Sequence, residues 1–425
     1  ITGTFNAVNA LQVGAVTKAT ASSLATAITL QPGGTFELVL HNFTGSTATR
    51  RLHGCDGKNR GFEFDGTTLA PISTGMATDK PNHVRVQKNY LFFTFGGSLQ
   101  NSGIGNPFDW TPLTGASEIG IGEDIQALVN LSGEALGIVG TRGTYQYLGA
   151  SLSTFQLQII SPDVGGVGVQ SLGSATLMVS DHGVVKLQAI EAYGNFAAGT
   201  VSRKVQPIVD ALRAAGIVGS TVYRSRNQYR VYAADGTGII VTPSAEKQGL
   251  NWVEVYYFSR LKYPMSINCV ISGEDDTTYI CDSEGMVYQA DKGNSFDGAA
   301  IERYFQLSFN HSKSPTTLKS YFLALFEMTA DGYSSIRVHP EFSYRSSRYA
   351  QHILQTAELT GEGGYWNVED WNEFYFDAQM VSSPSISIRG NGENMAMVVY
   401  SNDAIDQGHK IDGIVIHYKP RRLKR

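Results

Sequence analysis

Residues 177–187 read LMVSDHGVVKL. Leu177 and Val179 are apolar, Ser180-Asp181-His182-Gly183 interrupts, and Val184, Val185 and Leu187 resume the apolar run. That is a tight hairpin: two short strands and a turn whose glycine can take a positive φ. Related phrases return at ALGIVGTRGTYQYLG (135–149), QYRVYAADGTGIIVT (228–242) and TTYICDSEGMVYQA (277–290). Taking Gly61, Gly97, Gly143, Gly183, Gly236 and Gly285 as the turn glycines gives spacings of 36, 46, 40, 53 and 49 residues. A period of about 40 to 50 residues with about four strands per unit is the pattern of a β-propeller blade. One blade cannot bury both of its faces alone, whereas a ring of blades buries them and leaves only short edges. The chain has neither a WD dipeptide nor a kelch double-glycine pattern. A pair of β-sandwiches would also give hairpins, at less regular intervals.

Composition agrees with an all-β chain. There are 46 Gly for turns, 21 Tyr and 20 Phe for strands, and only 17% charged residues. At 425 residues the chain exceeds one compact core, so two domains or a repeat array are expected. Strand alternation is read at 35–43, 83–95, 154–160, 335–344 and 383–390, and a continuous apolar run at 253–261. One helix is expected at QPIVDALRAAG (206–216), with Pro207 in the first turn, Ile208, Val209 and Leu212 on one face, and Gly216 as the stop. ATASSLATAITL (19–30) reads equally as helix or strand. After about residue 296 the strands lengthen, which predicts an antiparallel β-sandwich platform over 296–425 following a propeller-like domain of about six blades over 1–295. Within the latter, residues 1–80 have no clear assignment of their own. Blade count is open between five and seven.

The net charge of −5 gives no basic face for reading DNA sequence. Cys55, Cys269 and Cys281 make no CxxC or Cys/His cluster, so neither zinc nor a disulfide framework is expected. Cys269 and Cys281 could face one another on neighbouring strands, but buried free thiols are the expectation. The longest apolar run, YFLALF (321–326), is far short of the ~18 residues of a membrane span. The opening ITGTFNAVNA has no basic-then-apolar stretch, so no signal peptide is expected, and it lacks Met. A soluble protein assembled in a reducing compartment is the resulting expectation.

Candidates for chemistry are few. Asp109, Glu123 and Asp124 could act as paired carboxyls in glycoside hydrolysis, but turn capping is the simpler reading. Sialidase-type turns of the form SxDxGxTW are missing, and SDHGVV (180–185) has its Asp and Gly at the wrong offset. GEDD (273–276) lacks the ligand spacing of a calcium loop. No HExxH, GxSxG or P-loop occurs, and GGVGV (165–169) reads as a loop. No catalytic residue, metal or cofactor is expected. The terminal KPRRLKR (419–425) offers Lys419, Arg421, Arg422, Lys424 and Arg425 to a phosphate or an acidic partner, or else forms a solvated, frayed tail. Trp366 and Trp371, in an acidic stretch, offer a docking surface or core packing.

The runs NSGIGNPFDWTPLTGASEIGIGEDIQALVNLSGEALGIVGTRGTYQYLG (101–149), FQLQIISPDVGGVGVQSLGSATLMVSDHGVVKL (155–187), GGYWNVEDWNEFYF (363–376), NGENMAMVVYS (391–401) and IDGIVIHYKPRRLKR (411–425) carry a family resemblance. Over roughly residues 85–425 the chain resembles the tail nozzle or hub (tail tube) proteins of short-tailed bacteriophages. The resemblance rests on overall pattern and turn phrases and implies no catalytic residue. It implies a virion structural protein, assembled in the host cytoplasm into a homohexameric ring of the viral tail. Such a ring sits below portal and adaptor proteins, with tail fibres or a needle as further partners. Double-stranded DNA would pass through its channel without sequence-specific binding, so Lys and Arg should not match phosphates in the lumen. The alternative is a carbohydrate-binding or glycan-cleaving propeller for host recognition, with Tyr145, Tyr147 and Trp252 stacking on sugars.

Overall fold

The computed structural model describes the chain except residues 1–9, 14–15, 21–27, 132–134, 152, 174, 189–198, 249–250, 274, 331–333, 346–354, 360–380, 383, 404–407 and 424–425. The chain divides into two compact units, Ile1–Ala290 and Asp291–Arg425.

The first unit is a succession of small antiparallel meanders. Among the described residues six sheets of three or four strands follow one another in chain order. Their first strands are Glu37–His41, Val84–Gln87, Ile125–Asn130, Val167–Leu172, Ile217–Tyr223 and Ile267–Ser272. Each first strand packs against the first strand of the next sheet. Gly61, Gly97, Gly143, Gly236 and Gly285 fall in the connection between the second and third strands of their sheets, and Gly183 opens the third strand of its sheet. The period read in the sequence is therefore the period of one propeller-like blade. A separate hairpin pairs Ala10–Val13 with Val16–Thr20, so the described part of 19–30 begins as strand.

The core lies between sheets, because alternate strand residues face opposite neighbours. In the third sheet Leu128, Leu136 and Ile138 pack with Tyr90, Phe92 and Leu99 of the second. Val129 and Val139 turn the other way, onto Val169, Met178 and Val185 of the fourth. The fourth and fifth sheets share Leu177, Val179, Val231 and Ile239 with the helix Gln206–Ala214, which supplies Val209 and Leu212. Gly216 ends that helix at φ +85. Ile208, expected on the same buried face, is 40% exposed, since it lies about 100° around the helix from Val209.

Residues 83–95, read as one strand, form a hairpin of Val84–Gln87 and Tyr90–Phe95. Its turn residues, Lys88 and Asn89, have φ of 47° and 64°, the type I′ geometry that matches strand twist without glycine here.

The second unit is an antiparallel sandwich. One sheet has the strand order Ile301–Gln306, Met395–Asp403, Ser334–Phe342, Gln355–Leu359. The other is built on Thr317–Ala330, paired along most of its length with His409–Leu423. Tyr321, Ala324, Phe326 and Met328 meet Ile336, Val338, Phe342, Met397 and Val399 across the core. Lys319 is buried in this unit and gives its ammonium to three carbonyls: Ser314 O (2.6 Å), Thr317 O (3.1 Å) and Glu393 O (2.8 Å). Burial lowers its pKa, yet the three acceptors match the three donors of an ammonium. Among the described residues no helix is long and apolar enough to cross a membrane.

Candidate functional site

Two of the three carboxylates singled out by sequence, those of Asp109 and Glu123, are spent on turns. Asp109 accepts the Thr111 hydroxyl (2.7 Å) and N–H (3.0 Å), and these bonds hold its pKa below the ordinary carboxylate value. Glu123 accepts the N–H of Arg142 (2.6 Å), the N–H of Gly143 (3.0 Å) and the Tyr145 hydroxyl (2.8 Å). Burial pulls the Glu123 pKa upward, but the Arg142, Tyr145 and Gly143 donors outweigh it and lower the pKa overall. Asp124 contributes a backbone carbonyl, to the Thr141 N–H and hydroxyl, both at 3.1 Å. These groups close the turn at 141–143. A general acid would need a raised pKa, and Asp109 and Glu123 are shifted the other way.

In the GEDD stretch Asp275 accepts from Thr277. Asp276 reaches the fifth sheet and takes the N–H groups of Arg224 (3.2 Å) and Ser225 (2.8 Å). Among the described residues no three His, Cys, Asp or Glu groups could together hold a metal ion.

The aromatic trio does not form one stacking platform. Tyr147 is buried against Phe92 and Phe155, at centroid distances of 6.1 and 4.8 Å. Tyr145 bonds Glu123, and Trp252 is 70% exposed near the tip of the hairpin Thr237–Gln248/Asn251–Lys262.

The basic end is ordered strand up to Leu423, which corrects the frayed-tail expectation. Ser320 pairs with Lys419, Lys319 with Pro420, and Thr317 with Leu423. Partnering with a long central strand fixes this segment's backbone. Lys419 and Arg421 are exposed, and Arg422 lies in the same strand. Lys424, Arg425, Trp366 and Trp371 lie outside the described residues. The sandwich unit also carries an open groove of about 600 Å³ lined by Phe305, Leu307, Ile411 and Ile414, with His409 and Asp412 as its polar members. Scattered over two strands distant in sequence, it has no local signature.

The feature sequence reasoning missed is a set of side-chain links between consecutive sheets. His83 Nδ1 meets Glu37 at 2.8 Å, joining the first two sheets. Arg85 Nε donates to Leu128 O (2.9 Å) and Asn130 Nδ2 to Val86 O (3.1 Å), joining the second and third. Ser171 donates to Asn130 O at 3.0 Å, joining the third and fourth. Gln170 donates to Ser220 O (3.0 Å) and Tyr229 to Gly168 O (2.5 Å), joining the fourth and fifth. The accepting carbonyls in the last three junctions all belong to first strands.

No family model matches the chain, and no curated protein does. Among solved structures it is similar to the extracellular domain of a one component system from B. thetaiotaomicron, with 8% identity and a TM-score of 0.37. That match covers 74% of this chain, which spans only 36% of that structure. It is also similar to the β-propeller domain of Cps50 (Swd1) from Myceliophteria thermophila, with 10% identity and a TM-score of 0.39, covering 62% of this chain and 89% of that one. Likenesses at this level bear on neither the activity nor the partners of this chain.

Proposed function

We propose that this chain is a virion structural protein of a short-tailed phage: a nozzle or hub ring that extends the DNA-ejection channel below the portal and adaptor. The observation that carries the reading is where its polar side chains go. Asp109, Glu123, Asp275 and Asp276 bond turns and neighbouring sheets, so candidates for reaction chemistry serve a frame. The resemblance over residues 85–425 supplies the rest. A closed ring needs one heterologous contact whose rotation closes. The apolar groove of the sandwich unit and its exposed Tyr304 and Phe322 (66% and 49%) are surface suited to such a contact. Lys419 and Arg421 are suited to an acidic neighbour at the rim rather than to a lumen that must release DNA.

Cryo-electron microscopy of the full chain, alone and with portal and adaptor rings, tests this. A six-fold ring with an axial channel wide enough for duplex DNA is expected. A chain that stays monomeric in both conditions, or a ring without such a channel, overturns it. Lys419→Glu with Arg421→Glu is expected to weaken docking to the neighbouring ring and to flatten its salt dependence, while leaving the sandwich folded.

A further inference from the structure

We propose that Cys269 and Cys281 form an oxidisable dithiol, which closes into a cross-strand disulfide within the sixth sheet. The two residues are direct register partners on the antiparallel strands Ile267–Ser272 and Thr278–Asp282. Opposed residues in such a pair have Cα atoms about 4.5 to 5.5 Å apart, inside the span of about 4.4 to 6.8 Å that a disulfide bridges. Both are free thiols and both are half-buried. The facing pair two residues along, Ile271 with Tyr279, is 47% and 40% exposed. The face that holds the thiols is therefore open to a small reagent. Cys55, 0% exposed and in the core between the first two sheets, is the internal contrast.

The step balances with a small-molecule disulfide as oxidant. A thiolate of the pair attacks one sulfur of oxidised glutathione, breaking its S–S bond and releasing one glutathione thiolate. The second thiolate then attacks the protein sulfur of the mixed disulfide, forming the Cys269–Cys281 bond and releasing the second glutathione. Two electrons and two protons pass from the protein pair to two glutathione thiols. Burial, the hydrogen bond to Cys281 and the charge there push Cys269 up to about 11, which slows attack from that sulfur at neutral pH. The closed loop would tie the second strand of the sheet to the first, on a sheet of only three strands. This inference stands whether or not the tail reading does.

The test is to incubate the full native chain in oxidised glutathione, block remaining thiols with an alkylating reagent, and map peptides without reduction. The expected product is an internal Cys269–Cys281 link with Cys55 unmodified. Amide exchange over Ile267–Gln289 should slow roughly tenfold or more in the oxidised chain. In Cys281→Ser, glutathione should instead remain attached at Cys269. Both thiols still free after the unfolded chain has bridged would overturn the proposal. So would stable glutathione adducts on both cysteines without closure, links only between chains, or no adduct at Cys269 in Cys281→Ser.

Discussion

Acidification from about pH 7.5 to about pH 5 is expected to loosen the first sheet through His53. This residue is 0% exposed in the middle of the strand Arg51–Cys55, edge-on to Phe43 at 5.0 Å. Its Nε2 lies 3.0 Å from the Glu63 carboxylate on the next strand. Burial, with the nearby His41 adding to it and the Arg51 backbone opposing, lowers its pKa from 6.5 to about 4. The imidazole is therefore neutral at pH 7, and its contact with Glu63 is a hydrogen bond rather than an ion pair. An unfolded chain takes up the proton near 6.5 and the folded chain only near 4. Between those values the unfolded state binds more protons, so stability falls as pH falls. At about 1.4 kcal/mol per pH unit of separation, the loss reaches about 2 kcal/mol by pH 5 and about 3 kcal/mol below pH 4. Glu63 works against this, since burial raises its pKa and its proton uptake favours the folded state, so the net loss is smaller. Native-state hydrogen exchange of peptides spanning residues 37–71, followed across pH in wild type and His53→Gln, isolates the effect. The variant should lose stability at neutral pH but show a flatter pH dependence. Equal slopes in the two proteins between pH 7.5 and 5 would refute the reasoning, because His53 would then titrate alike in both states.

Three further outcomes follow from packing and bonding. In Gly165→Ala the new methyl runs into the carbonyls of Gly140 and Thr141, main-chain atoms that cannot swing away, so a loss of about 3 kcal/mol is expected in urea unfolding. Lys319→Met takes the ammonium from three carbonyls, of which Ser314 O keeps the Thr317 N–H, and should destabilise the sandwich unit by about 2 to 3 kcal/mol, read as an earlier unfolding transition. Tyr229→Phe removes one hydroxyl from a fully buried side chain and leaves Gly168 O without that donor, for about 1 to 2 kcal/mol in the same assay.

Much of the fold was legible because it repeats. The six turn glycines sit at one topological position, so a period survived although the units share little other sequence. What local pattern hid was hidden for identifiable reasons. The turn at Lys88-Asn89 takes left-handed backbone without glycine, so 83–95 looked like one strand. The run 419–423 is rich in charge and reads as tail, yet its backbone completes the ladder with 317–330, a pairing that strand propensity alone does not announce. The local turn caps, Asp109 with Thr111 and Asp275 with Thr277, were legible as turn chemistry, but the role of Glu123 depended on donors about twenty positions away, from Arg142 to Tyr145. The sheet-to-sheet links were illegible outright: Asp276 and Arg224 are 52 residues apart, Glu37 and His83 46.

Those links answer a problem that a repeated meander creates. In each sheet the first strand is an edge, and an edge strand presents main-chain carbonyls with no ladder partner. Packing one such edge beside the next would bury some of those carbonyls unpaired, at about 1 to 3 kcal/mol each. Val86, Leu128, Asn130, Gly168 and Ser220 are carbonyls of this kind, and each receives a side-chain donor from an adjacent sheet. The donors differ in type (Asn, Arg, Ser, Tyr and Gln), so no common motif records the role, only the shared geometry. Apolar faces hold consecutive sheets together without fixing their register, since burial is non-directional. A carbonyl that must meet one particular donor does fix it. The repeat thus leaves to individual polar side chains the task of setting how each sheet sits on the next, and it is there, rather than in the hydrophobic pattern, that substitutions should alter geometry before they abolish folding.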